Sequence, residues 1–317
     1  MTGIYTRSQI DAVLPRVDVV GEVAQGFIAF SRGEVEVPPV GELLFPEHNG
    51  ELHLKYGAIR GDEVCVIKVA TGFFNNPDLD LPPFGGCMIV VSQKTGMIDA
   101  ILLEEGELTN HRTAAAGAVA ARALAPADPK VIGIVGTGVQ ARLQADYLRR
   151  VTQCRDLTIW GRNTDQAEQA ATEITAMGYR VTVSQSLADL CDQSRLIVTT
   201  TPAEQPLLTA DMIRPGSHIT AMGSDTPEKN EVAPEILTLA DIVVADSLVQ
   251  SELRGEIYQA RRAGMLPDGK AAELGKILSG EVKGRETNQQ ITLADLTGVA
   301  VQDIAIAKAV LGRLRAE

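Results

Sequence analysis

Up to about residue 112 the apolar positions come in short alternating runs. The stretch Glu63-Val64-Cys65-Val66-Ile67-Lys68-Val69-Ala70 predicts a strand, Met88 to Ser92 predicts another, and Asn75-Asn76-Pro77 and Leu81-Pro82-Pro83 supply the turns between them. This part reads as α+β. Thr113 to Leu124 is an alanine-rich helix, closed by Pro126 and Pro129. From Val131 onward the rhythm changes to apolar runs separated by helical stretches. The runs are 131–136, 156–162, 180–184, 195–201, 218–223 and 241–247; the helical stretches include Gln140 to Arg150, Thr164 to Met177, Gln250 to Ala263 and Ala271 to Leu278. A last helix is expected from Ala300 to Arg315. Strands alternating with helices predict a parallel sheet with crossover helices. The fold class expected is therefore α/β: a Rossmann-type doubly wound sheet over 113–296, plus an α+β domain formed by 1–112 with 297–317.

Composition narrows what such a fold is for. The chain has 317 residues, 45% of them hydrophobic, so a substantial core is assured. Its formal charge is 29 − 41 = −12, which disfavours nucleic acid and anionic membranes as partners. No apolar run approaches a membrane span, and the N-terminal residues do not read as a secretion signal. Four cysteines and four histidines stand in no ligand-like spacing, so no metal is expected and a reducing cytoplasm is the expected setting.

The chemistry concentrates in a few places. Gly136-Thr137-Gly138-Val139-Gln140-Ala141 follows an apolar strand and opens a helix, the context in which GxGxxG/A binds a dinucleotide. Gly136 would allow the tight turn and Gly138 the approach of a pyrophosphate, with the helix dipole favouring the anion. The following strand ends in Trp160-Gly161-Arg162-Asn163, without the acidic residue that binds an NAD ribose; Arg162 is expected to meet a 2′-phosphate or to stack on the adenine, so NADP is tolerated. Strand alternation places Lys68 on the same face as Val64, Val66 and Ala70, where burial would lower its pKa toward a useful range. Arg112, immediately before the alanine-rich helix, would form a carboxylate receptor beside the helix N-terminus. Asp225, past the fifth strand of this sheet, is an acid/base candidate. Lys55 and Arg60 add positive charge near Lys68, which suits a substrate with more than one carboxylate.

These residues together resemble the ornithine cyclodeaminase/μ-crystallin family. The resemblance rests on Ile67-Lys68-Val69, Asn76-Pro77, 108–115, the glycine loop 136–141, 223–231, Gly255-Glu256, Glu273-Leu274-Gly275, Ile291-Thr292 and 297–303. It implies a dinucleotide domain and a second domain that binds substrate and pairs two subunits into a homodimer. It also implies roles: Lys68 as the pocket lysine, Arg112 on the substrate carboxylate and Asp225 as acid/base. The dinucleotide set is Arg112, Gly136, Gly138, Val139, Gln140, Arg162, Thr201, Met222, Gly223, Ser224 and Lys229. Where the family commonly carries an arginine after a proline near residue 39, this chain reads Pro39-Val40, so the usual second carboxylate ligand is missing and Lys55 is its expected replacement. Its Leu54-Lys55-Tyr56-Gly57 segment is similar to the iminosuccinate-reductase and ectoine-utilisation branch. The expected activity is NAD(P)-dependent reduction of a small, dicarboxylic imino acid, iminosuccinate to aspartate above others. Lys68 and Asp225 both remain candidates for handling the proton. The alternatives are a cyclodeaminase that recycles its NAD internally and a non-catalytic NADP-binding protein.

Overall fold

A computed structural model describes residues 2–316. The chain divides into two compact units. One holds the residues up to Arg112 together with those from Val299 on; the other is Thr113–Gly298.

The first unit is built on a seven-stranded sheet. Its strands are β1 (Gly3–Tyr5), β2 (Val35–Glu36), β3 (Gly41–Phe45), β4 (Gly50–Ile59), β5 (Val64–Phe73), β6 (Phe84–Ser92) and β7 (Ile98–Leu102), in the order β1-β7-β6-β5-β4-β2 with β3 also on β4. β4, β5 and β6 pair antiparallel, and Lys55, Lys68, Met88 and Leu102 fall in one row across the sheet. Side chains alternate between faces along a strand. Val66, Lys68, Met88, Val90, Ala100 and Leu102 point to the same face and are all buried. That face is covered by the C-terminal helix (Ala300–Arg315), which packs on β4 and β5 as well as on α1 (Arg7–Val13) and α2 (Val19–Ser31). Gly26 of α2 is what lets the two helices meet closely, since a Cβ there would lie 3.3 Å from Val301.

The second unit is an all-parallel sheet of eight strands. They are β8 (Ile132–Val135), β9 (Asp156–Trp160), β10 (Arg180–Val183), β11 (Leu196–Thr199), β12 (His218–Ala221), β13 (Ile242–Ala245), β14 (Ala271–Glu273) and β15 (Thr292–Asp295), ordered β10-β9-β8-β11-β12-β15-β13-β14. β8, β11, β12 and β15 are buried at every position, as expected when both faces of a parallel sheet are covered. The helices are α3 (Glu107–Leu124), which begins in the first unit, then α4 (Val139–Leu148), α5 (Thr164–Ala176), α6 (Leu187–Gln193), α7 (Pro234–Leu239), α8 (Glu256–Arg262) and α9 (Leu274–Leu278).

The α/β class holds, with three local corrections. Eight strands replace six. β15 slots between β12 and β13, where the buried imidazole of His218 bonds Thr292 Oγ1 at 2.8 Å. The expected helix at 271–278 is a strand for its first three residues, because pairing with β13 overrides the helix propensity of Ala-Ala-Glu. The stretch 250–263 is likewise divided, by Gly255 at φ +91°, into a single turn and α8.

Candidate functional site

In the first unit the chemistry is buried. β5 is an interior strand, and Lys68 at its centre is 1% exposed. Its Nζ donates to Asp303 Oδ1 at 3.0 Å, and Arg112 Nε donates to that same oxygen, also at 3.0 Å. Arg112 Nη1 donates to Gln302 Oε1 at 2.9 Å. Asp303 sits in the first turn of the C-terminal helix, where the helix dipole favours a carboxylate, and its Oδ2 is buried without a hydrogen bond. Nearby Glu104 is fully buried: Oε2 accepts from the Leu108 and Thr109 amides at 2.8 and 3.3 Å, capping the start of α3, and Oε1 has no partner. Lys55 lies opposite Lys68 in register. Arg112 is thus in the second turn of α3 and not before the helix, because α3 starts at Glu107.

Burial, reinforced by the charge of Arg112, lowers the Lys68 pKa to about 8 against the pull of Asp303 and Glu104. Burial also pushes on Asp303, but Lys68, Arg112 and Lys55 outweigh it and hold the carboxyl below its ordinary value. Glu104 is raised by burial. The cluster therefore contains a firmly ionised carboxylate flanked by an ammonium that can give up a proton near neutral pH.

In the second unit the chemistry lines open space. β8 runs into Gly136, whose φ of +119° and a would-be Cβ only 2.4 Å from Thr200 Oγ1 demand glycine. Gly138 is the opposite case, for a Cβ there would meet nothing within 4 Å. It precedes α4, which has no side-chain cap. Arg142 turns back from α4 to donate to the carbonyls of Thr137 (2.5 Å) and Gly138 (3.1 Å), while Glu173 of α5 grips its other edge. With those carbonyls engaged, the amides of the first turn of α4 are the groups left to face an anion. A cavity of about 340 Å³ opens here, lined by Gly136, Gly138, Trp160, Arg162 and Thr201 among others. Asn163 does not replace the missing acidic residue, since its side chain caps α5 by accepting from the Gln166 amide at 3.0 Å. Val139 and Gln140 open α4.

The remaining expected residues cluster beyond β12. Met222 Sδ accepts from Gln144 Nε2 at 2.8 Å, and Ser224 Oγ donates to the Lys229 carbonyl at 2.5 Å. Asp225 and Lys229, expected to act separately, form an ion pair at 2.6 Å, with half of the Asp225 side chain exposed. The structure thus groups Lys68, Arg112 and Lys55 in one unit, and Gly136, Gly138, Arg162 and Thr201 around one cavity in the other. Sequence reasoning assigned no role to Asp303, Glu104, Arg142 or Glu231. Asp303 and Glu231 lie inside two of the quoted motifs, which was the available signal. Among the described residues no group of three or more His, Cys, Asp or Glu is arranged to hold a metal, and no helix is long and apolar enough to cross a membrane.

The sequence model of the ornithine cyclodeaminase/mu-crystallin family matches residues 2–317. The chain belongs to that family. A family relative, a putative dehydrogenase of Rhizobium meliloti, is 40% identical over 316 residues, covering 99% of this chain and 96% of its own. Among solved structures, an archaeal alanine dehydrogenase dimer with bound NAD superposes with a TM-score of 0.91 at 29% identity, over 99% of this chain and 96% of the other. The iminosuccinate reductase of Paracoccus denitrificans in complex with NAD+ gives 0.91 at 26% identity, over 99% and 97%.

Proposed function

We propose that this protein is an NAD(P)-dependent oxidoreductase that reduces a small imino acid to the amino acid, with iminosuccinate to aspartate the favoured pair. The observation that carries the reading is the buried Lys68–Asp303–Arg112 cluster: two cations converge on one carboxylate oxygen and leave the other without a hydrogen bond. With Lys55 and Glu104 the cluster's formal balance is three cations against two carboxylates, 3 − 2 = +1, suited to an anionic substrate.

The glycine loop fits a dinucleotide, because Gly138 leaves room where a Cβ would stand and the first turn of α4 has no side-chain cap. When bound, the nicotinamide supplies a hydride. In this reading Arg112 holds the α-carboxylate and Lys55 the second one. As hydride adds at the imine carbon, the C=N π pair moves to nitrogen, which takes a proton from the Lys68 ammonium. Asp225 is a weaker candidate for that proton, being half exposed and paired with Lys229.

The same reading assigns the second face of the first unit's sheet to subunit pairing. It carries Ile4, Tyr56 and Ile98, each at least 40% exposed, beside Ile67, Ile89 and Ile101, an apolar surface that a second copy would cover. Four free thiols suit a cytoplasmic setting.

The test is a spectrophotometric screen of 2-oxo acids with ammonia, using NADH and NADPH in turn. Oxaloacetate is expected to give the fastest cofactor oxidation. No oxidation with any 2-oxo acid refutes the reading, and ammonia release from ornithine without net cofactor change replaces it with a cyclodeaminase.

A further inference from the structure

Glu231 is fully buried in the segment between β12 and α7, and none of the hydrogen bonds to its carboxylate comes from a cation. The charges around it include the carboxylates of Glu256 and Asp295, a costly setting for an anion. What compensates is four hydrogen bonds from two strand ends. Oε1 accepts from the Thr201 amide at 2.6 Å and Thr201 Oγ1 at 2.7 Å; Oε2 accepts from Thr199 Oγ1 and the Gly223 amide, each at 2.7 Å. Thr199 closes β11, and Gly223 follows β12, its neighbour in the sheet. One carboxylate therefore ties together the carboxyl ends of two adjacent parallel strands, the edge at which open α/β sheets bind ligands.

The tie is tight and is itself held. A Cβ on Gly223 would lie 2.0 Å from the Thr201 carbonyl oxygen and 2.7 Å from Glu231 Oε2. The Glu231 carbonyl accepts from the Leu207 and Leu208 amides at 2.8 and 3.1 Å, and its amide donates to Glu256 Oε1 at 2.8 Å. Thr201 also lines the glycine-loop cavity, whereas none of the four carboxylate bonds reaches Trp160 or Arg162 on the β9 side of that cavity. The carboxylate thus governs the β11–β12 side of the cleft and leaves the β9 side alone.

We infer that Glu231 is a positioning residue for the nicotinamide half of the dinucleotide, fixing Thr201 and Gly223 at the heights that half requires. This rests on the NAD(P) reading above, and its test separates the two. Trp160, the chain's single tryptophan, lines the cavity, so its fluorescence reports occupancy directly. NADH, NADPH and adenosine diphosphate, which lacks the nicotinamide half, are titrated against wild type, Glu231→Gln and Glu231→Asp. The glutamine keeps the size but turns an amino group toward buried donors, so affinity for the dinucleotide the wild type prefers should fall by about tenfold or more while that for adenosine diphosphate stays within about twofold. The aspartate keeps the charge with less reach and should fall between. Unchanged dinucleotide affinity in Glu231→Gln overturns the inference, as does a parallel loss for both ligands, which marks a merely structural role. If the wild type binds adenosine diphosphate but neither dinucleotide, or binds nothing, the NAD(P) reading fails and the inference falls with it.

Discussion

The two units place their chemistry in opposite physical settings. In the first, Lys68, Arg112, Asp303 and Glu104 are at most 6% exposed and bonded mainly to one another, so the groups proposed for substrate are also part of what holds the unit together. In the second, Gly138, Val139 and Arg162 face open space, and the groups that shape the loop, Arg142 and Glu173, stand behind it. Substitutions in the first unit should therefore damage stability and turnover together, whereas in the glycine-loop cleft binding should be separable from stability.

The largest effect is expected from Asp303→Ala. It leaves two buried cations facing each other, which costs about 3–5 kcal/mol when a buried pair loses one partner. Urea denaturation should show that loss alongside abolished activity. Adding Lys68→Met to Asp303→Leu removes one of the two orphaned cations and leaves Arg112, so it should recover only part of the stability and none of the turnover. Full stability in Asp303→Ala would mean that the cluster contributes nothing to folding, and the contrast between the units would disappear.

Next comes pH. With a folded pKa of about 8 against an ordinary 10.5, Lys68 is more protonated in the unfolded chain between those values. Its burial therefore costs stability in full below pH 8, and that cost fades as pH rises toward 10.5. Activity in the reductive direction runs the other way, since the ammonium is the proposed proton donor. The rate constant kcat/KM should fall by about tenfold per pH unit above 8, with no accompanying fall in Tm arising from Lys68. Lys68→Arg should move or remove that limb; an unchanged pH profile would assign the proton to another group.

The contrast also explains what the sequence could reveal. The glycine loop was legible because its requirements are local: a positive φ at Gly136 and open space at Gly138 are met by residues adjacent in the chain. The burial of Lys68 followed from strand alternation. Its partner did not, because Asp303 is 235 residues away and only the packing of the C-terminal helix on the sheet brings the two together. Glu231 escaped for the same reason, as its four donors lie at sequence separations of 8 to 32 residues. β14 and β15 were missed because three- and four-residue strands acquire their identity from β12 and β13 beside them, not from their own propensities.

A smaller effect tests the cleft directly. Gly138→Ala adds a methyl group that touches no protein atom within 4 Å, so Tm should stay close to wild type. The methyl would stand where the pyrophosphate must approach, and dinucleotide affinity should fall by about tenfold. Calorimetry and Trp160 fluorescence read the two quantities on one sample. A destabilised variant with intact affinity would reverse the comparison between the units.

The smallest effect concerns which dinucleotide is used. β9 ends in Trp160-Gly161-Arg162-Asn163, with no carboxylate to bond a ribose 2′-hydroxyl and with Asn163 committed to capping α5. Arg162 is the cation lining that end of the cavity, and it is exposed. A guanidinium meeting a 2′-phosphate gains a charge-assisted bond, but at an exposed position screening reduces it to about 1 kcal/mol, a several-fold change in affinity. Arg162→Ala should weaken NADPH by that factor and leave NADH unchanged, and the difference should shrink as ionic strength rises, because the Debye length is only about 8 Å at physiological salt. An equal loss for both nucleotides, insensitive to salt, would mean that Arg162 stacks on the adenine both share. The β9 terminus would then not discriminate the two, and any preference would have to come from another part of the cleft.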